Sequence, residues 1–274
     1  MNDIRKPPAV LTILTALAGE AKTLVERKKN KKKDTTFVSR RHTSESGTTV
    51  IIQCGIGRDT LLRVAAPQLK NTSIVGNIGV SGGLAPDLVP GTVILGDQIV
   101  TSGNHHTTYQ AIYTPSAQLL DILESTLKKN ALPYRRGPLL CTPQPLDSPE
   151  KKAAAYLKTG ALAVDMESAG AAEAARQAAL PFFCIRVVCD PAGRRVEKKL
   201  LAGVDNRGNS RPMQLINPLI RRPWLLAHLF IMARDFYRAL AGMRRVWNVA
   251  QKPLVDFADS NSTARASYSD LQRL

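Results

Sequence analysis

Ser73-Ile74-Val75-Gly76-Asn77-Ile78-Gly79-Val80-Ser81-Gly82-Gly83 is the stretch on which the fold turns. Its first half is apolar and rich in β-branched residues, which predicts a strand over Ser73–Asn77. Its second half is a glycine cluster that could bring backbone N–H groups close to an anion or a sugar, or could simply form a tight turn between packed strands. The dinucleotide-binding fingerprint does not fit. It needs a helix directly afterwards and an acidic residue about twenty positions on, whereas Pro86, Pro90 and Gly91 lead into another strand. Gly79-Val80-Ser81-Gly82-Gly83 also matches the G-x-S-x-G hydrolase elbow, but the helix that should follow the serine is missing, and the late histidine, His228, lies inside an apolar stretch.

Outward from this stretch, apolar runs alternate with Ala/Leu segments of helical period, the pattern of an α/β domain. Further strands are expected at Val10–Thr15, Thr49–Gln53, Thr92–Val100, Gly137–Cys141, Ala161–Val164 and Phe182–Val188, and helices at Gly19–Lys28, Arg58–Leu69, Ala117–Lys129, Ser148–Leu157 and Ser168–Ala179. The runs near 51, 74 and 184 are almost purely apolar, so both faces of their sheet should be covered by helices. Beyond Asp190 the texture changes: Pro191–Pro212 reads as a charged loop with at most one short helix, and Leu215–Val246 as a C-terminal helix carrying the apolar stretch Trp224–Ala233 between arginines. We expect a single α/β domain over 1–258, with a mixed, largely parallel sheet, and a flexible polar tail over 259–274.

The 274 residues hold 38 Lys+Arg against 22 Asp+Glu, a net charge of +16, and 44% hydrophobic residues, enough for a large core and unlike a disordered or disulfide-built chain. Cys54, Cys141, Cys184 and Cys189 show no metal-type spacing and are expected as reduced thiols, with no metal site. The polar Met1–Lys6 start and the threonine-broken run Ala9–Ala18 fit neither a secretory signal nor a membrane span, so the cytoplasm is the expected location.

Two acidic clusters stand out. Val164-Asp165-Met166-Glu167-Ser168 places two carboxylates where a strand hands over to an Ala-rich helix, the end of the sheet at which open α/β folds bind ligands; an ordinary helix cap explains it equally well. Arg186-Val187-Val188-Cys189-Asp190-Pro191 ends a buried strand on an acid that, if desolvated, could serve as a proton donor, or could be an exposed turn aspartate.

These clusters, with Gly55-Ile56-Gly57, Asn77–Pro86 and Gly91-Thr92-Val93, occur in the order and spacing of the purine nucleoside phosphorylase and methylthioadenosine/adenosylhomocysteine nucleosidase superfamily, and the resemblance spans Ala9 to Asp190. The Gly-Val-Ser-Gly-Gly-Leu form, Ala-Val-Asp-Met-Glu-Ser, Asp190-Pro191-Ala192 and the Arg-Arg-Pro-Trp helix are most similar to the hopanoid-associated phosphorylases, implicated in removing adenine from adenosylhopane. The resemblance implies that Asp190 protonates purine N7, that Met166 and Glu167 contact the ribose, and that Glu20 positions or activates water. It places Val80, Ser81, Gly82 and Cys189 against the substrate and makes Gly57 and Arg58 the candidate phosphate contacts. No cofactor is implied, only phosphate or water as co-substrate. Asn77 and Val80 stand where phosphorylases place a phosphate-binding Arg and Ser, Cys189-Asp190 replaces Ser-Asp, and Cys141–Pro145 lacks the usual base-stacking Phe.

The implied activity is cleavage of the N-glycosidic bond of an adenine nucleoside with a bulky apolar 5′ substituent. The alternatives are a methylthioadenosine/adenosylhomocysteine nucleosidase or a general purine nucleoside phosphorylase, and, from another class, a non-catalytic basic scaffold on membrane or nucleic acid. Nucleic acid is not an expected partner: aromatics are 5% and no reading motif accompanies the basic run Arg27–Lys33. A homo-oligomer is expected from the resemblance. Contact with an anionic membrane is motivated by the basic run and by Trp224–Ala233, which could equally pack on the sheet. His105 and His106 are surface residues on this reading, or else sugar contacts.

Overall fold

The computed structural model describes residues 10–25, 39–44, 47–102, 109–197, 203–211, 213–214 and 222–271. His105, His106, the Arg27–Lys33 run and residues 198–202, 212 and 215–221 lie outside them. In chain order the described elements are β1 (Val10–Thr15), α1 (Ala18–Leu24), β2 (Ser39–Ser44), β3 (Gly47–Gln53), α2 (Arg58–Ala65), β4 (Ile74–Gly83), β5 (Val93–Ser102), β6 (Tyr109–Tyr113), α3 (Ala117–Lys129), β7 (Tyr134–Cys141), α4 (Pro149–Thr159), β8 (Ala163–Asp165), α5 (Ser168–Gln177), β9 (Phe182–Asp190) and α6 (Leu225–Leu271).

The nine strands form one mixed sheet in the order β2-β3-β1-β4-β8-β7-β5-β6, with β9 paired to both β4 and β5. Because β4 also pairs with β8, and β5 with β7, the strands β4, β8, β7, β5 and β9 close into a ring, and β1, β3 and β2 extend from it as an open wing. Alternation along β9 shows how the layers are filled. Phe183, Ile185 and Val187 pack with Leu119, Leu120, Leu123 and Leu127 of α3 and Ala239, Met243 and Trp247 of α6. Phe182, Cys184 and Val188 face the other way, with Leu61 and Ala65 of α2 and the alanines of α5. Each leucine so buried contributes about 1.5–3 kcal/mol, and the sheet is a sandwich between helices on both faces.

The sequence reading and the structure part in three places. The glycine cluster is not a turn: the strand continues through it to Gly83, so β4 is ten residues long. Strands β2 and β6 were not anticipated; they flank the sheet at its two ends. Helix α6 runs past Val246 and through Pro253 to Leu271, continuing beyond Asp259 where a flexible tail was expected; as far as Ala258, the residues Val246, Trp247, Ala250, Leu254, Val255 and Ala258 bury one face at helical spacing.

Candidate active site

Glycine within β4 makes room for acids. A Cβ on Gly79 would lie 2.9 Å from Glu20 Oε1 and 3.4 Å from a guanidinium nitrogen of Arg186, and a Cβ on Gly82 would lie 3.2 Å from Asp190 Oδ2. The strand therefore carries hydrogen at the two positions where carboxylates approach its backbone. Glu20, in the first turn of α1, is pinned there: Oε2 accepts from the N–H of Ala16 and Leu17 at 2.9 and 2.8 Å, and Oε1 accepts from Val80 N–H at 2.8 Å. Burial raises its pKa above the ordinary carboxylate value, against the pull of these bonds and of Arg186.

Asp165 and Glu167 divide the roles that the sequence left open between cap and ligand. Asp165 is the cap: Oδ1 accepts from Glu167 N–H, Ser168 N–H and Ser168 Oγ–H at 2.9, 2.9 and 2.8 Å, and Oδ2 accepts from Arg186 Nε at 2.7 Å. Glu167 is thereby turned toward the Gly55–Gly57 loop, where Oε1 accepts from Gly57 N–H at 2.8 Å. The small residues of α5 let α2 lie close enough for that bond. Burial and the neighbouring Asp165 push the Glu167 carboxyl up to about 7, although Gly57 and Arg186 oppose them.

Arg186 had no assigned role in the sequence reading and proves to be the hub. It is 1% exposed and bonds Asp165, the Asn77 side chain and the carbonyls of Asn77 and Ile185. Burial works against its charge, but Asp165, Cys184 and Glu167 together hold its pKa above the ordinary value. Asn77 is fixed in turn by donating to Leu14 C=O at 2.9 Å. One signal in the sequence marked Arg186: a lone cation inside an otherwise apolar strand, where an unpaired charge is not tolerated.

Asp190 is largely buried and held by a partner, not a free turn residue. A bulge in β9 sets Val188 opposite Ser81 and Asp190 opposite Gly82, so that Cys189 is the extra residue and the acid is re-aimed onto Gly82. Its Oδ2 accepts from the ammonium of Lys152, which is fully buried on α4, while its side chain keeps 19% exposure. Cys189 lies near enough to Asp190 and Glu20 that, after burial, both raise its thiol pKa well above the usual value. It is, like Cys54, Cys141 and Cys184, a free thiol.

The remaining expected residues fall as follows. Val80 contributes its N–H to Glu20, and Met166 is half-buried beside Glu167. Ser81 Oγ is buried and has no hydrogen-bond partner among the described residues; it sits inside a strand, which removes the hydrolase-elbow geometry. Gly57 spends its N–H on Glu167, so that group is not open to phosphate, and Arg58 is exposed at the first position of α2. A further piece, missed in the sequence, is the turn 203–211: Asn206 C=O accepts from Ile56 N–H at 3.0 Å and Gly208 C=O from Ala18 N–H at 2.9 Å, tying this turn across the Gly55–Gly57 loop and the start of α1.

A ring-closed mixed sheet between helices, with acids meeting a glycine-bearing strand, defines a nucleoside phosphorylase-like α/β protein. The chain matches the phosphorylase superfamily over residues 10–221 and belongs to that family. Over 143 residues it is 29% identical to the S-methyl-5′-thioadenosine phosphorylase of Rhodospirillum rubrum; the match covers 48% of this chain and 47% of that protein, so the chain spans about half the length of this curated relative. Among solved structures it is similar to the futalosine hydrolase of Helicobacter pylori, with 15% identity, a TM-score of 0.68, and 89% of this chain and 97% of that one covered. It is also similar to the 5′-methylthioadenosine/S-adenosylhomocysteine nucleosidase of Neisseria meningitidis in complex with methylthio-immucillin-A, with 17% identity, a TM-score of 0.64, and 92% and 99% coverage. These two likenesses concern the fold.

Proposed function

We propose that this protein cleaves the N-glycosidic bond of an adenine nucleoside bearing a large apolar 5′ substituent, of the adenosylhopane kind, and releases adenine. The observation that carries the reading is the gathering of Glu20, Glu167 and Asp190 about β4 and the Gly55–Gly57 loop. Breaking this bond leaves positive charge on the ribose and negative charge on the base, so carboxylates beside the sugar and a proton donor at the base act where charge develops. Glu167 accepts from the ribose hydroxyls, Glu20 orients the attacking group, and Asp190 protonates N7. Water suits this site better than phosphate: Gly57 N–H and Asn77 are already engaged, and Arg186 is committed to Asp165.

The apolar tail has a matching surface. Trp224, Leu226, Phe230 and Tyr237 are 61, 55, 72 and 70% exposed, and on α6 the last three lie opposite the buried Leu225, Ala239 and Met243. Beside Tyr237, a groove of about 690 Å³, lying on α6 rather than at the acids, carries Arg238, Arg244 and Arg245. The one acid between Arg222 and Gln251, Asp235, is buried and bonded to Arg194, Arg234 and Arg238. A face that offers apolar side chains and an excess of arginine over acid suits an anionic bilayer better than a second copy of itself. No helix among the described residues is long and apolar enough to cross a membrane, so the contact proposed is peripheral. The test is adenine release from adenosylhopane, 5′-methylthioadenosine, S-adenosylhomocysteine and adenosine, each with and without phosphate. The reading expects the tailed substrate to lead and phosphate to change nothing; a preference for 5′-methylthioadenosine replaces the tail assignment, and phosphate-dependent release with a ribose 1-phosphate product replaces water.

A further inference from the structure

Lys152 is a fully buried lysine in the first turn of α4, whose other two lysines, Lys151 and Lys158, reach solvent. Its ammonium has three acceptors: Asp190 Oδ2, Pro191 C=O at 3.0 Å and Arg194 C=O at 3.2 Å. All three belong to the five residues that end β9 and begin the next turn. Burying an ammonium is costly unless every proton is matched, and an apolar side chain of similar length would fill such a place without that cost. Packing therefore does not account for a lysine here, whereas its bond to Asp190 does. The same turn is held from its far side, since Val196 N–H donates to Asp147 C=O at 2.9 Å and the Arg194 guanidinium bonds the buried Asp235 at 2.6 Å. Asp190 thus stands on a clamped segment with one oxygen fixed by a cation.

We propose that Lys152 is the positioning residue of the proton donor: it orients the Asp190 carboxyl toward the departing base and stabilises the carboxylate left when the proton goes. This rests on the reading of Asp190 as the acid. In that step the carboxyl O–H bond breaks and N7–H forms, the C1′–N9 electron pair leaves with the base, and Lys152 keeps its three protons as counter-cation to the new carboxylate. Water adds to C1′ with loss of one proton, and that proton restores the Asp190 carboxyl.

The test compares two substrates, the nucleoside that the wild-type enzyme cleaves best and its N7-methyl derivative, whose ring already carries the positive charge and needs no proton. Lys152→Met should lower kcat on the unmethylated substrate tenfold or more with KM within threefold, and leave the N7-methyl substrate at the wild-type rate. Lys152→Gln, which keeps a donor without the charge, should fall between. Equal losses on both substrates, no loss on either, or failure of both variants to fold would assign Lys152 to the scaffold and overturn the proposal. Asp190→Asn separates the two ideas. If it too spares only the methylated substrate while Lys152→Met spares both, the acid stands and the lysine's role falls; if Asp190→Asn spares both, the reading of the acid itself falls.

Discussion

Replacing Glu167 by glutamine should change the shape of the stability curve with pH as well as the activity. The Glu167 carboxyl is held up to about 7 by burial and by Asp165, from an ordinary 4.5. In the folded chain it keeps its proton while the unfolded chain loses it, so its contribution is fully present below pH 4.5 and is lost as pH rises toward 7. Two and a half pH units at about 1.36 kcal/mol each come to about 3 kcal/mol, most of it between pH 5 and pH 8. Glutamine keeps an oxygen for Gly57 N–H but has nothing to titrate. Urea unfolding of both proteins from pH 5 to pH 8 should show the wild type losing about 2–3 kcal/mol relative to Glu167→Gln. Glu20, also raised by burial, remains in both proteins and is coupled to Glu167, so the difference reports the loss of Glu167 together with that coupling. Ribose hydroxyls donating to Glu167 favour its charged form, so KM of the wild type should fall as pH rises through 7 and that of the variant should not. Two stability curves that run parallel across this range would refute the assignment of a buried, protonated Glu167.

Gly79→Ala should press a methyl group onto Glu20 Oε1, 2.9 Å away, costing about 1–3 kcal/mol of stability and at least tenfold in kcat, read by denaturation and adenine release. Arg186→Met should leave Asp165 buried and unpaired, a loss of about 3–5 kcal/mol that shows as a lowered urea midpoint. Liposome co-sedimentation should occur with anionic and not neutral lipid and disappear near 1 M salt, where the Debye length is about 3 Å; changing Trp224 and Phe230 to Ser should reduce activity on the tailed substrate alone.

Where apolar pattern alone decides an element, the sequence could be read to the residue. Strand β1 at Val10–Thr15 and helix α3 at Ala117–Lys129 coincide with their expected limits, since one is a β-branched run and the other an amphipathic segment of even period. Glycine defeated the same reasoning in β4. Its low strand propensity suggests a turn, yet Gly79 and Gly82 are in the strand because side chains from α1 and β9 occupy the space a Cβ would need, and that contact is set by tertiary structure. The acids Glu20, Glu167 and Asp190 were visible as residue types in a familiar order. Their partners were not: Lys152 sits in an ordinary-looking Glu-Lys-Lys-Ala helix start, and only burial distinguishes it from Lys151 beside it. The bulge at Cys189, which aims Asp190 at Gly82, depends on pairing with β4 and left no local mark.

The measurement closest to the central claim is adenine release by the purified protein from 5′-substituted adenosines, wild type against Asp190→Asn. We expect the wild type to release adenine and the folded variant to be slower by about a hundredfold or more, the scale of losing a general acid. A wild-type protein that releases adenine from none of these nucleosides, or a variant as fast as the wild type, would contradict the account.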